Sequence, residues 1–169
     1  MEKVDLTFQY TQSEYVRAEQ QYLFASKTIT KTSVIVLALF LPATFFYLFF
    51  SSFSILSIVF AAVAVIAAVV GCLVYFYMPL YKFRRTSKYH EVYNLIFSND
   101  GIKFKTPSID SNLRWSIYSA IWESDDFYFL IQAPLMYTLI PKRAFESTAA
   151  KQVFEKIVLS NITNSKRLS

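Results

Sequence analysis

Thr32–Tyr81 reads TSVIVLALFLPATFFYLFFSSFSILSIVFAAVAVIAAVVGCLVYFYMPLY, fifty residues without a Lys, Arg, Asp, Glu or His. A helix that crosses a bilayer needs about 20 predominantly apolar residues. The stretch is too long for one span and long enough for two, and Phe50-Ser51-Ser52-Phe53-Ser54 supplies a short, polar-leaning break between them. The expectation is a two-helix transmembrane hairpin, Thr32–Phe50 and Ile55–Tyr77, with Met78-Pro79-Leu80 ending the second helix.

Each span has its own chemistry. The first contains Pro42, which removes a backbone donor and predicts a kink. Beyond it come Phe45, Phe46, Tyr47, Phe49 and Phe50, a concentration that suits the headgroup level. The second is rich in small residues, with Ala64, Ala68 and Cys72 four apart, and Ala67 and Gly71 four apart. Small residues at this spacing let membrane helices approach closely. The first span of the same chain is the expected partner for that face, and a homodimer contact is the alternative. Neither span holds a Lys, Arg, Asp, Glu or His, which argues against a proton relay or transport path.

The flanks orient the hairpin. Lys27 and Lys31 precede it, and Lys82, Arg84, Arg85 and Lys88 follow it. Positive flanks stay on the cytoplasmic side, so both termini are expected there, in a multi-pass protein of the plasma membrane. Residues 1–31 carry four basic and four acidic side chains ahead of the apolar run, too polar a leader for a secretory signal. The single cysteine, Cys72, allows no intrachain disulfide, which fits a reducing compartment.

The organisation read from the sequence is an N-terminal strand and amphipathic helix (1–31), the hairpin (32–81), a small antiparallel β domain with a C-terminal helix (82–160) and a flexible polar tail (161–169). Val4–Tyr10 alternates apolar and polar as a half-buried strand does. Thr11-Gln12-Ser13-Glu14 has the form of a capping box, and Tyr15, Ala18, Tyr22, Ala25 and Ile29 follow on one helical face. That helix is expected to run nearly unbroken into the first span. Its apolar face is expected to pack on the β domain, with an in-plane membrane helix or a partner-binding face as alternatives.

Past the hairpin the period becomes that of strands. Val92–Phe97 and Ile102–Lys105 flank Asn99-Asp100-Gly101, a hairpin turn. A polar loop, Thr106 to Asn112, comes next. Leu113, Trp115, Ile117 and Ile121 then place one face of a long strand, and Glu123-Ser124-Asp125-Asp126 forms an acidic turn. Phe127–Ile131 and Met136–Ile140 are two further strands. A final helix, capped by Ser147, shows Ala150, Val153, Phe154, Ile157 and Val158 on one face. It can cover an open end or face of the sheet.

This order of elements, with the Trp-bearing segment Leu113-Arg114-Trp115-Ser116-Ile117 and the segment Ile140-Pro141-Lys142-Arg143-Ala144-Phe145, resembles the YcxB-like family of small bacterial membrane proteins. The resemblance implies a fold similar to pleckstrin-homology-like (PH-like) domains, a strand sandwich or barrel closed by a C-terminal helix. Five strands after the hairpin and a sixth at Val4–Tyr10 fall short of the usual seven. No catalytic residue is carried over by the resemblance.

The residues themselves offer little chemistry. His90 is the one histidine and, with Cys72, cannot make a typical zinc site. Gly71 and Gly101 are the two glycines, so no phosphate-cradling loop exists. Glu123, Asp125 and Asp126 read as a solvated turn rather than an acid–base pair. No cofactor, metal or catalytic role is expected, and an enzyme of the membrane surface stays the weakest class.

Two binding readings remain. In the first, the β domain binds an unidentified membrane or cytoplasmic protein or assembles in a membrane complex, with Lys142 and Arg143 as contact residues against the plainer reading that both face solvent. In the second, Lys82, Arg84, Arg85 and Lys88, interleaved with aromatics, contact anionic lipid headgroups, against the plainer reading that they only set topology. No nucleic-acid motif accompanies this basic patch.

Overall fold

The structure, a computed structural model, describes residues 2–50 and 55–168. The expected break at residues 51–54 lies outside the described residues. The chain divides into two packing units. One is Met1–Ala18 with Thr86–Ser169, and the other is Glu19–Arg85.

In the first unit, β1 (Lys3–Phe8) is followed by the start of α1 (Gln12–Ala25). The capping box forms as read: the Thr11 N–H donates to Glu14 Oε2 at 3.0 Å and the Glu14 N–H to the Thr11 hydroxyl at 3.3 Å. After residue 86 come β2 (Tyr93–Ser98), β3 (Gly101–Lys105), β4 (Asp110–Leu113), β5 (Ala120–Glu123), β6 (Phe127–Ala133) and β7 (Met136–Pro141). The helix labelled α5 (Thr148–Asn161) and a short strand, β8 (Ser165–Arg167), complete the unit. Two four-stranded sheets result, ordered β1-β2-β3-β4 and β7-β6-β5-β8.

Three expectations are corrected here. The long Trp-bearing strand does not exist. A 3-10 turn, Trp115–Ile117, separates β4 from β5 and carries the chain from one sheet to the other. Ile117 and Tyr118 donate backwards to the Arg114 and Trp115 carbonyls at 3.2 and 3.0 Å, which ends extended pairing, and Ile117 is exposed. Second, part of the polar loop pairs with β3 as β4. Third, the tail does not fray along its whole length, because β8 pairs in parallel with β5, so the second sheet is mixed rather than antiparallel.

The β2–β3 hairpin closes as expected, with Ser98 opposite Gly101. Gly101 has φ of 154°, and a Cβ there would sit 2.6 Å from the Leu113 carbonyl oxygen. Only glycine admits so close an approach of the β4 backbone. The helix α5 is capped by Ser147, whose hydroxyl accepts from the Ala150 N–H at 3.1 Å. It buries Phe154, Ile157 and Val158. The Phe154 ring lies 4.9 Å from Phe97 of β2 and 5.2 Å from Tyr128 of β6, so one side chain joins both sheets.

In the second unit, α1 ends at Ala25 instead of running on. Lys27 takes a left-handed φ of 59°, its N–H bonds the Phe24 carbonyl and the Ile29 N–H bonds the Leu23 carbonyl, both at 3.1 Å. These bonds satisfy the last carbonyls of the helix. Ile29 therefore falls outside the helix. A new helix, α2 (Lys31–Phe50), starts from Thr30, whose hydroxyl accepts from the Ser33 N–H at 3.0 Å. It runs through Pro42.

The next helix, α3 (Ile55–Cys72), does not end near residue 77. It passes through a π-helical turn, Leu73–Tyr77, into α4 (Met78–Arg85). Pro79 has no N–H to offer the Tyr75 carbonyl four residues earlier. Gln20 Nε2 donates to that carbonyl instead, at 3.3 Å. The wide turn and the borrowed donor let the helix continue past the proline. Both α2 and the run 55–85 are long and apolar enough to cross a membrane.

Candidate functional site

Lys142 and Arg143 follow β7 in a 3-10 turn, Lys142–Ala144. The Lys142 N–H donates to the Asp126 carbonyl at 2.8 Å, which places its side chain over β5 and β6. Its Nζ donates to Glu123 Oε1 at 2.6 Å and lies 4.8 Å above the Tyr128 ring. Arg143 makes a two-pronged bond to Glu14 through Nε and Nη2, and Nη2 also donates to the Gln9 carbonyl at 2.8 Å. Glu14 thus serves the capping box and the guanidinium at once. The Arg143 hydrogen bonds are the largest cause holding its carboxyl at about 2, well below the usual 4.5, and Glu14 in turn raises Arg143. Arg17 adds a third tie, to Asp126 at 3.1 Å.

The expected partner-contact pair is therefore committed to bonds within its own unit, and neither side chain simply faces solvent. Lys142 is 18% exposed and Arg143 50%. The sequence offered a signal for Glu14, the capping box, but none for a bond to a residue 129 positions later.

The four expected headgroup residues divide between the units. Lys82, Arg84 and Arg85 occupy the last turn of α4, opposite the buried Pro79 and Phe83. Lys82 Nζ lies 3.5 Å from Glu19, the Arg85 guanidinium lies 5.5 Å from the centre of the Tyr81 ring, and Arg84 is exposed. Lys88 belongs to the β unit, in the 3-10 turn Ser87–His90, with Nζ 5.1 Å over Tyr89. The aromatic–basic alternation of the sequence becomes cation–π pairs.

The small residues of α3 divide by burial, and the more buried ones share a face. Ser57, Ala61 and Ala64 are buried, and Ala68 and Gly71 are half-buried. Ala67 and Cys72 are exposed, off that face. The partly and fully buried positions of α2 are Leu37, Leu41, Thr44 and Leu48. Both sets alternate steps of four and three, the seven-residue repeat of a helix–helix seam, and α2 packs on α3.

The acidic turn and His90 do not converge. Glu123 pairs with Lys142, Asp126 with Arg17, and the His90 carbonyl accepts from Gln9 Nε2 at 2.6 Å. Among the described residues, no three of His, Cys, Asp and Glu lie close enough together to hold a metal ion.

No curated protein and no solved structure matches this chain. Residues 97–158, from the end of β2 into α5, match the family model described as YcxB-like protein, and that segment includes Trp115 and residues 140–145.

Proposed function

We propose that this chain is an integral membrane protein in which α2 and α3 form a two-span hairpin, anchoring a PH-like β domain on the cytoplasmic side, and that this domain is a non-enzymatic docking module for a protein partner. The observation that carries the membrane reading is the outward display of apolar side chains. Only 6% of the apolar window of α2 and 17% of that of the run 55–85 is buried, and Phe49 and Ile55 are 82% and 83% exposed. The core helix of a water-soluble domain would bury these faces. The basic residues at 27, 31, 82, 84, 85 and 88 favour a hairpin with both ends cytoplasmic. The PH-like reading is supported by seven strands, β1 to β7, divided four and three between two sheets and followed by α5. The strand β8 is an addition to that plan. The small sheets offer edges on which another chain can dock.

The test is purification from native membranes in mild detergent, with the mass and composition of the intact particle determined. Retention in membranes through alkaline washing and a stoichiometric second protein are the expected results. Release by alkaline washing overturns the membrane reading. A lone chain or homodimer carrying bound anionic lipid shifts the weight to a second reading, an anionic-lipid module. That reading is favoured by the exposed Arg84 beside Arg85 at the end of α4. It requires that Arg84→Glu with Arg85→Glu strip the lipid, and that lipid retention fall as salt rises.

A further inference from the structure

We infer that the outer edge of β5 is a strand-docking site for a short, extended, basic peptide, and that β8 keeps this site occupied by the chain itself. The inference deepens the docking reading above and rests on it. β8 pairs with β5 in parallel, setting Ser165 opposite Ile121, Lys166 opposite Trp122 and Arg167 opposite Glu123. It is the one parallel pairing among the described strands. The Ile121 N–H donates to the Asn164 carbonyl at 2.9 Å, and the Leu168 N–H donates to the Glu123 carbonyl at 2.7 Å.

All three β8 residues are exposed, so buried apolar surface does not hold the strand in place. Ile162, at the end of α5, is the last buried residue before it. Main-chain pairing is among the contacts that hold β8, together with Lys166, whose Nζ lies 4.8 Å over the Trp122 ring. Main-chain pairing is open to any extended chain, and side-chain positions then set its specificity. Here those positions ask for a cation over Trp122, and the register sets a second basic residue, Arg167, opposite Glu123, whose carboxylate is bonded to Lys142. Opposite Ile121 the template is a small residue, Ser165. A partner segment of the form small–basic–basic, running parallel to β5, offers the same main-chain pairing and the same cation over Trp122, and so competes with β8 for the edge.

The experiment uses the chain in detergent and a fluorescent peptide with the sequence of residues 163–168, TNSKRL. Two variants vacate the edge: a chain ending at Ile162, and Lys166→Pro in the full chain. The alternation of a strand puts the Lys166 N–H on the same side as the Leu168 N–H, so proline removes a pairing donor without shortening the chain. Each variant should bind the peptide at least tenfold tighter than the unaltered chain. Placing Glu at both basic positions of the peptide should reverse that gain. Variants that keep the circular dichroism and melting temperature of the unaltered chain, yet bind no tighter, overturn the proposal. If the native particle holds a stoichiometric partner while both variants ignore the peptide, the β5 edge is excluded and the docking reading stands.

Discussion

The α3 side of the seam with α2 and the joint between α5 and the two sheets are built from opposite materials. On α3 the buried positions are Ser57, Ala61 and Ala64, none larger than a methyl or hydroxymethyl group. On α5 they are Phe154, Ile157 and Val158, set among Phe97, Tyr128 and Phe145. The β unit has water to exclude, so it gains by burying large apolar area. Helices whose outer faces are apolar, as expected in lipid, gain nothing from burying still more, and close backbone approach takes over. The difference is itself an argument for the membrane reading.

The sharpest way to break this contrast is to remove bulk from the β unit. Phe154→Ala should cost about 3–5 kcal/mol, the range for truncating a buried aromatic ring. It should lower or abolish the cooperative thermal transition of the β unit, and a loss under 1 kcal/mol would show that the ring does not join the sheets. The converse change adds bulk to the helical unit. Ala64→Leu should cost about 1–3 kcal/mol by overpacking, while Ala67→Leu, on the exposed side, should stay within about 0.5 kcal/mol. Detergent-denaturant titration measures both, and equal effects at the two positions would refute the assigned seam.

Smaller effects concern the polar ties. Gln20→Ala leaves the Tyr75 carbonyl without its side-chain donor and should cost about 1 kcal/mol, with faster hydrogen exchange confined to the residues around the π turn. Unchanged exchange there would mean that Pro79 is accommodated without Gln20. Glu14 supplies a pH signature. Its carboxyl is held at about 2 in the folded chain against the usual 4.5. A depressed carboxyl contributes stability that is present above 4.5 and is lost as pH falls towards 2. Stability of the native chain should therefore decline through that window, and Glu14→Gln should flatten the decline. Parallel acid curves for the two proteins would remove Glu14 from the account.

Much of the local architecture was legible along the chain because its causes are local. The charge-free run marked α2 and α3 within a residue or two of their starts. The Thr11–Glu14 box and the Ser147 cap were readable because each bond spans three residues, and Asn99-Asp100-Gly101 marked its hairpin. Mistakes arose where a distant group changed the outcome. Pro79 looked like a terminus because the Gln20 donor is 55 positions from Tyr75. Trp115 fitted a strand by period, yet its Nε1 donates to the Ser98 carbonyl at 2.8 Å from within the turn that changes sheets.

By itself the sequence determined where helix and strand can form, which faces are apolar and where charge is excluded, since periodicity, capping and hydropathy act over a few residues. Tertiary structure alone decided that Lys142 and Arg143 are internal ties, that Ala64 rather than Ala67 faces the seam, and that the polar tail supplies a strand to β5. Each of these depends on which groups meet across long separations, and a chain's own order of residues does not encode a distance until the fold has closed.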